Sequence, residues 1–362
     1  SIIDQTLLPH EFATLNLNSL EDACHAIVSM QVRGAPLIGV TAAYGLYLAL
    51  RDDPSALFTA SEQLLTTRPT AVNLRWALQR MQEGLKTIEP QQVAERALAM
   101  ARQLEQEDVR VCEGIGENGS DLIADIWRNK SGRTVLLDTQ EEHSSPPNTQ
   151  NEHPSQNRVN ILTHCNAGAL ATVDWGTALA VIYKAADRGI PLHVWVDETR
   201  PRNQGAALTC WELGQQGIPH TLIVDNAGGH LMQQRLVDIC LVGSDRTCLN
   251  GDVCNKIGTY LKALAAKDNG IPFYAALPVS SIDFSMTTGL GHIPIEERSS
   301  LEVTHISGMT ESGEVTSVRL APESVAVSNF GFDVTPARLV TGIITEKGVV
   351  AANHDAIAKL QD

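Results

Sequence analysis

The chain has little of what a nucleic-acid or membrane protein requires. Aromatic residues make up 4% of its 362 residues, so platforms on which bases stack are scarce. Lys and Arg number 27 against 42 Asp and Glu, a formal charge of −15, and no basic cluster relieves the deficit. A surface that releases counterions from a phosphate backbone needs such a cluster, whereas a small anion needs only a few cations that converge locally. No apolar run reaches the roughly 18 residues that span a bilayer, and no charged-then-apolar leader opens the sequence. Ser1 begins abruptly before Ile2-Ile3-Asp4-Gln5, so a few preceding residues are expected in the full protein. The seven cysteines, odd in number and scattered through apolar or motif-like contexts, do not make a disulfide framework, and a reducing cytosol is the expected compartment. Cys248 and Cys254 lack a zinc-like spacing and an accompanying His. There is neither a Walker P-loop nor a strand-led G-x-G-x-x-G, so neither a metal nor a nucleotide cofactor is expected.

What is present is ample apolar material, 43% of the residues, on a chain longer than one core usually serves; two domains are expected. Between Glu21 and Trp127 apolar residues recur at helical spacing, as in Ala26, Ile27 and Met30 or Val93, Ala97, Leu98 and Ala101. This predicts a smaller, mainly helical N-terminal domain over 1–131. The stretch 138–158 is Gln, Glu, Asn, Ser, Pro and His with almost nothing to bury; it reads as a disordered insertion or linker, without chemistry despite His143 and His153. From 159 to 362 short β-rich runs at 159–163, 192–196, 221–224, 239–242 and 273–277 alternate with helical stretches. That pattern predicts α/β architecture, a Rossmann-like parallel sheet with crossover helices. Ligands of such sheets collect beyond the carboxyl ends of the strands, and polar clusters follow all five runs.

After the first run, Thr163-His164-Cys165-Asn166-Ala167-Gly168 leads toward an apolar helix containing 177–183. A cysteine at a helix N-terminus feels the positive end of the dipole, which favours thiolate. Cys165 then serves as nucleophile or base, or is a buried structural thiol; local context leaves both open. His164, its neighbour on a strand, points to the opposite face and reads as a packing residue. After the fourth run comes Gly243-Ser244-Asp245-Arg246. Partly desolvated by a bound ligand, Asp245 can have a raised pKa and serve as general acid or base, the alternative being an ion pair with Arg246 or a helix cap. Asn255 and Lys256 are expected to open a helix over 257–265, a setting that suits phosphate. Arg33-Gly34-Ala35-Pro36 precedes a helix expected near Ile38 and forms either an anion cradle or a plain capped loop. Arg68 is a further cation within reach.

Six strings, RGAPLIG at Arg33, RPTAVNL at Arg68, THCNAGALAT at Thr163, DETRPRNQGAALTCWEL at Asp197, GSDRTCLNGDVCNKIGTY at Gly243 and IPIEER at Ile293, together closely resemble the methylthioribose-1-phosphate isomerases. The match runs from Ile3 to Pro336, apart from the polar insertion. The fold is shared with ribose-1,5-bisphosphate isomerases and with regulatory subunits of translation initiation factor 2B. The resemblance implies aldose–ketose isomerisation of 5-methylthioribose 1-phosphate in methionine salvage, without a cofactor, by a homodimer joined through its Rossmann-like halves. It makes Cys165 and Asp245 the catalytic pair and gives the substrate, chiefly its phosphate, to Arg33, Gly34, Ala35, Arg68, Gln204, Asn255 and Lys256. Alternatives are another ribose 1-phosphate as substrate, or a non-catalytic sugar-phosphate or nucleotide sensor. Departures from the family pattern are Asp174-Trp175, Cys248, Cys254 and the long insertion; none falls on the matched catalytic residues.

Overall fold

A computed structural model describes residues 1–68, 71–138 and 158–361. A short antiparallel pair, β1 (Ile2–Ile3) and β2 (Thr14–Leu15), precedes five helices: α1 (Leu20–Val28), α2 (Ala35–Asp52), α3 (Leu57–Thr67), α4 (Val72–Leu85) and α5 (Pro90–Asp138). Their limits follow local chemistry. Ser19 and Asp22 form a reciprocal capping box at the start of α1, and Pro36 sits in the first turn of α2, where its missing N–H costs nothing. Ala26, Leu46, Leu64, Leu78, Met81 and Ala97 bury the inner faces of the five helices in one core.

The second half of the chain builds a seven-stranded sheet. Its strands are β3 (Val159–Thr163), β4 (Leu192–Asp197), β5 (His220–Ile223), β6 (Ile239–Val242), β9 (Phe273–Ala276), β14 (Gly342–Thr345) and β15 (Gly348–Val350). Between them fall β7 (Arg246–Cys248), β8 (Val253–Lys256), β10 (Ile282–Asp283) and β13 (Phe332–Thr335), a separate four-stranded sheet, and the hairpin β11 (His305–Met309) and β12 (Val315–Arg319). The large sheet runs β15-β14-β9-β6-β3-β4-β5, parallel throughout except at β15. Both central strands, β3 and β6, are buried at every residue, the signature of a sheet covered on both faces. One face packs on α6 (Ala178–Asp187), α7 (Cys210–Gln215) and the Ile115 and Ile123 stretch of α5; the other packs on α8 (Gly228–Gln233) and α9 (Thr259–Asp268). Thus α5 contributes to both the helical core and the sheet core.

The predicted runs correspond to β3, β4, β5, β6 and β9, and the mixed α/β architecture with a parallel sheet follows from them. The sheet order places the reversal of winding between β3 and β6, and at such a switch point the loops diverge and leave a crevice. The polar stretch 138–158 lies, all but its two end residues, outside the described residues. No described helix is long and apolar enough to cross a membrane.

Candidate active site at the β3–β6 switch point

Cys165 follows β3 and Asp245 follows β6, so the two residues stand on opposite lips of the crevice. All nine residues named from the sequence line the same cleft: Arg33, Gly34, Ala35, Arg68, Cys165, Gln204, Asp245, Asn255 and Lys256. Met30, Thr177, Ser244 and Phe332 also line it.

The expectation of a thiolate stabilised by a helix dipole is overturned. The chain leaves β3 through a left-handed Cys165 (φ 68°), enters a short 3-10 turn at Ala169–Ala171, and begins α6 only at Ala178. Burial pushes the thiol above its ordinary pKa, Arg33 and Lys256 pull it down, and Asp245 raises it further. The Cys165 thiol donates to Gln204 Oε1 at 3.4 Å, so the acceptor end of the Gln204 amide meets the sulfur within the cleft. Thr199 Oγ1 accepts from Cys165 N at 2.8 Å and Thr209 Oγ1 donates to Cys165 O at 2.7 Å, which holds the turn from both sides. A positive φ at a non-glycine residue is uncommon and recurs at functional sites.

Asp245 has its pKa raised by burial, an effect opposed by Lys256, Arg68 and Arg33 and reinforced by Glu296. Arg246 is turned away toward Asp283, at 3.7 Å, so the ion pair Asp245–Arg246 considered above does not form. A desolvated carboxyl among three cations is suited to hold and release a proton.

The cations reach the cleft from three directions. Arg33, just before α2, is buried; its Nη1 donates to Asn166 Oδ1 and its Nη2 donates to Asn166 O at 2.5 Å. The helix begins at Ala35, three residues before the expected Ile38, and Gly34 (φ 89°) allows the close approach: a Cβ there would lie 2.3 Å from Ala171 O. Arg68, at the end of α3, pairs with Glu296 at 3.2 Å, while its buried Nε–H has no partner among the described residues. Asn255 and Lys256 end strand β8 instead of opening a helix; α9 starts at Thr259, whose Oγ1 accepts from Asn255 Nδ2 at 3.1 Å. The strand assignment prevails because β8 pairs with both β7 and β13. Lys256 Nζ donates to Gly331 O at 2.9 Å and lies 4.8 Å from the Phe332 ring centroid. Burial lowers its pKa, while Cys165 and Asp245 raise it. Glu296 and Phe332 were not singled out in the sequence: Glu296 sits in the IPIEER string, but only tertiary contact reveals the two as partners of Arg68 and Lys256.

Among the described residues, one group has the spacing of metal ligands: His164, Asp197 and Asp225. Most of its polar atoms already meet protein partners, while Asp197 Oδ1 is buried without one among the described residues. His164 Nδ1 contacts Asp197 Oδ2 at 2.8 Å, and its Nε2 contacts Ile257 O at the same distance. Lys262 Nζ lies 3.1 Å from Asp197 Oδ2 and donates to Asp225 O. An ammonium among these carboxylates supplies the charge a metal would bring, and His164 takes the structural place expected for it. A wider groove of about 790 Å³ opens beside the cleft and shares Pro36 and Pro278 with it. None of the nine residues lines it, and its Arg80 and Arg246 face Glu107 and Asp283.

The model of the initiation factor 2 subunit family matches residues 31–352. Methylthioribose-1-phosphate isomerase of Rhodospirillum rubrum is 55% identical over 361 residues, covering 99% of this chain and 88% of that one. The solved 5-methylthioribose 1-phosphate isomerase of Pyrococcus horikoshii OT3 is 38% identical at a TM-score of 0.79, covering 99% of this chain and 92% of that one. A structure from A. fulgidus described as translation initiation factor eIF-2B subunit delta is 36% identical at a TM-score of 0.76, with 99% and 95% coverage. The cleft at the switch point and these likenesses lead to one assignment: the chain belongs to the methylthioribose-1-phosphate isomerases, within the initiation factor 2 subunit family.

Proposed function

We propose that this cleft isomerises 5-methylthioribose 1-phosphate to 5-methylthioribulose 1-phosphate, the aldose–ketose step of methionine salvage, with Asp245 as acid and Cys165 beside the migrating hydrogen. One observation carries the reading: residues from the two strands at the switch point face a single cleft with Arg33, Arg68 and Lys256 around it. Phosphate on the anomeric oxygen blocks ordinary hemiacetal opening. The ring opens instead when its oxygen takes a proton, and a buried, protonated Asp245 is the group to give it. The C1–ring-oxygen bond breaks, hydrogen passes from C2 to C1, and the C2 hydroxyl proton returns to the carboxylate as the ketone forms. A neutral thiol that donates to Gln204 supports transfer as hydride past Cys165 over abstraction by a thiolate. The partnerless Nε–H of Arg68, Lys256, Arg33, Asn255 and the backbone at Gly34 and Ala35 supply charge and donors for the phosphate.

The same reading divides the chain into a helical domain over 1–131 and a Rossmann-like catalytic domain over 159–362, and makes it a cytosolic homodimer. Its seven free thiols suit a reducing compartment.

Turnover of 5-methylthioribose 1-phosphate, 5-deoxyribose 1-phosphate and ribose 1,5-bisphosphate by protein dialysed against chelator tests the function. Preference for the methylthio sugar without added metal is expected. Preference for the bisphosphate, or binding without turnover of any of the three, overturns the assignment. With substrate deuterated at C2, the expected ketose keeps the label at C1; its loss to solvent would replace hydride transfer with an enediol.

A further inference from the structure

Behind the Cys165 turn lies a buried carboxylate that the chemistry above does not use. Glu212, on α7, is 5% exposed and has no ion pair among the described residues. Four donors surround it instead. Its Oε1 accepts from Asn166 Nδ2 at 2.8 Å and Leu170 N at 3.2 Å; its Oε2 accepts from Ala169 N at 2.7 Å and the Tyr183 hydroxyl at 3.0 Å. Only a group that accepts through both oxygens meets all four, since a glutamine amide would set its own N–H groups against donors. The fit is close: a Cβ on Gly168 would lie 2.2 Å from Glu212 Oε2.

What Glu212 fixes is the orientation of Asn166. With Nδ2 engaged by Glu212 and by Thr209 Oγ1 at 3.2 Å, the amide oxygen has to face the other way, toward Arg33 Nη1. Arg33 in turn is one of two cations that draw the Cys165 thiol pKa down, Lys256 being the other; Asp245 opposes them, and Gln204 Oε1 accepts the thiol proton. We propose that Glu212 is a positioning residue: by locking the Asn166 amide it aims Arg33 at the cleft and holds the Cys165 turn in its left-handed form. The proposal rests on the roles given above to Arg33 and Cys165.

The test compares Glu212→Gln with Tyr183→Phe, which removes one donor and leaves the carboxylate. Three quantities are read on the full chain: the pH midpoint of iodoacetamide alkylation at Cys165 by mass spectrometry, KM and kcat for the sugar phosphate, and the melting temperature. In Glu212→Gln the alkylation midpoint should rise by about one pH unit as Arg33 turns away, and KM should rise about tenfold. Tyr183→Phe should leave both near wild type. A lowered melting temperature in Glu212→Gln with unchanged midpoint and KM would make the residue merely structural and overturn the proposal. If Glu212→Gln does not fold, Asn166→Ala breaks the same link: the same rise in midpoint supports the proposal, and an unchanged midpoint contradicts it. Alkylation needs no substrate, so a wild-type protein inactive on every ribose 1-phosphate would sink the functional reading while the midpoint still decided the role of Glu212.

Discussion

The two ends of strands β3 and β6 are built from similar residues and organised in opposite ways. At the amino end, Asp238 just before β6 accepts from Asn160 N at 2.8 Å and Lys130 Nζ at 2.7 Å; Lys130 also donates to Arg158 O, and Arg158 Nε to Asn160 Oδ1. One carboxylate there is matched by donors from a strand and a helix. At the carboxyl end, Asp245 and Cys165 have their pKa values raised by burial, and Arg68 keeps a buried N–H without a described partner. Buried polar groups normally find partners because leaving them unmatched costs stability. Where the same two strands end in a matched hydrogen-bond network on one side and, on the other, in buried titratable groups facing a cleft beside Arg68, the second end is the one suited to a ligand.

Cys165→Ser should have the largest effect among residues around the migrating hydrogen. The expected loss is about 10² or more in turnover with KM little changed, because a hydroxyl offers a different polarity beside the reacting carbons. Near-normal turnover would move the reactive end away from β3. Next come the cations: Arg68→Ala and Lys256→Ala should each weaken substrate binding by roughly 1.5–3 kcal/mol, and turnover should fall as well. Titration calorimetry with the sugar phosphate measures this, and unchanged affinity would remove the residue from the phosphate site. The smallest effect on activity is expected at the opposite end. Asp238→Asn should lower the melting temperature while kcat stays within about twofold of wild type, since one hydrogen-bonded carboxylate contributes on the order of 1–3 kcal/mol to stability. A large loss of kcat in a still-folded Asp238→Asn would erase the contrast between the two ends.

The central strands were legible because residues such as Ile161, Leu162 and Leu241, buried on both faces, leave uninterrupted apolar runs in the sequence. Strand β14 was not named, although Gly342-Ile343-Ile344-Thr345 carries the same signal between a glycine and a polar end. The four-stranded sheet was less accessible: β7 and β8 are three and four residues long and mix Arg, Thr, Cys, Asn and Lys. Their pairing with β10 and β13 depends on residues far along the chain. For that reason Asn255 and Lys256 read as a helix start and turned out to end a strand. The site residues were legible as strings, and the fold brings all nine to one cleft. What they do there was less so. The helix-dipole argument for Cys165 failed because a left-handed residue and a 3-10 turn intervene, and neither has a local signature in Thr163–Gly168. The pairing of Gln204 with the thiol and of Glu212 with Asn166 joins segments some forty residues apart and was invisible before folding.

The proton that Asp245 is proposed to give to the ring oxygen is the most exposed part of the account, and Asp245→Asn tests it most directly. Substrate affinity by calorimetry and single-turnover formation of the ketose by rapid quench should be measured on the same preparation. The amide keeps the shape of the carboxyl but has no acidic proton, so the account predicts affinity close to wild type and a turnover rate lower by about 10²–10⁴. Turnover near the wild-type rate with affinity intact would contradict it.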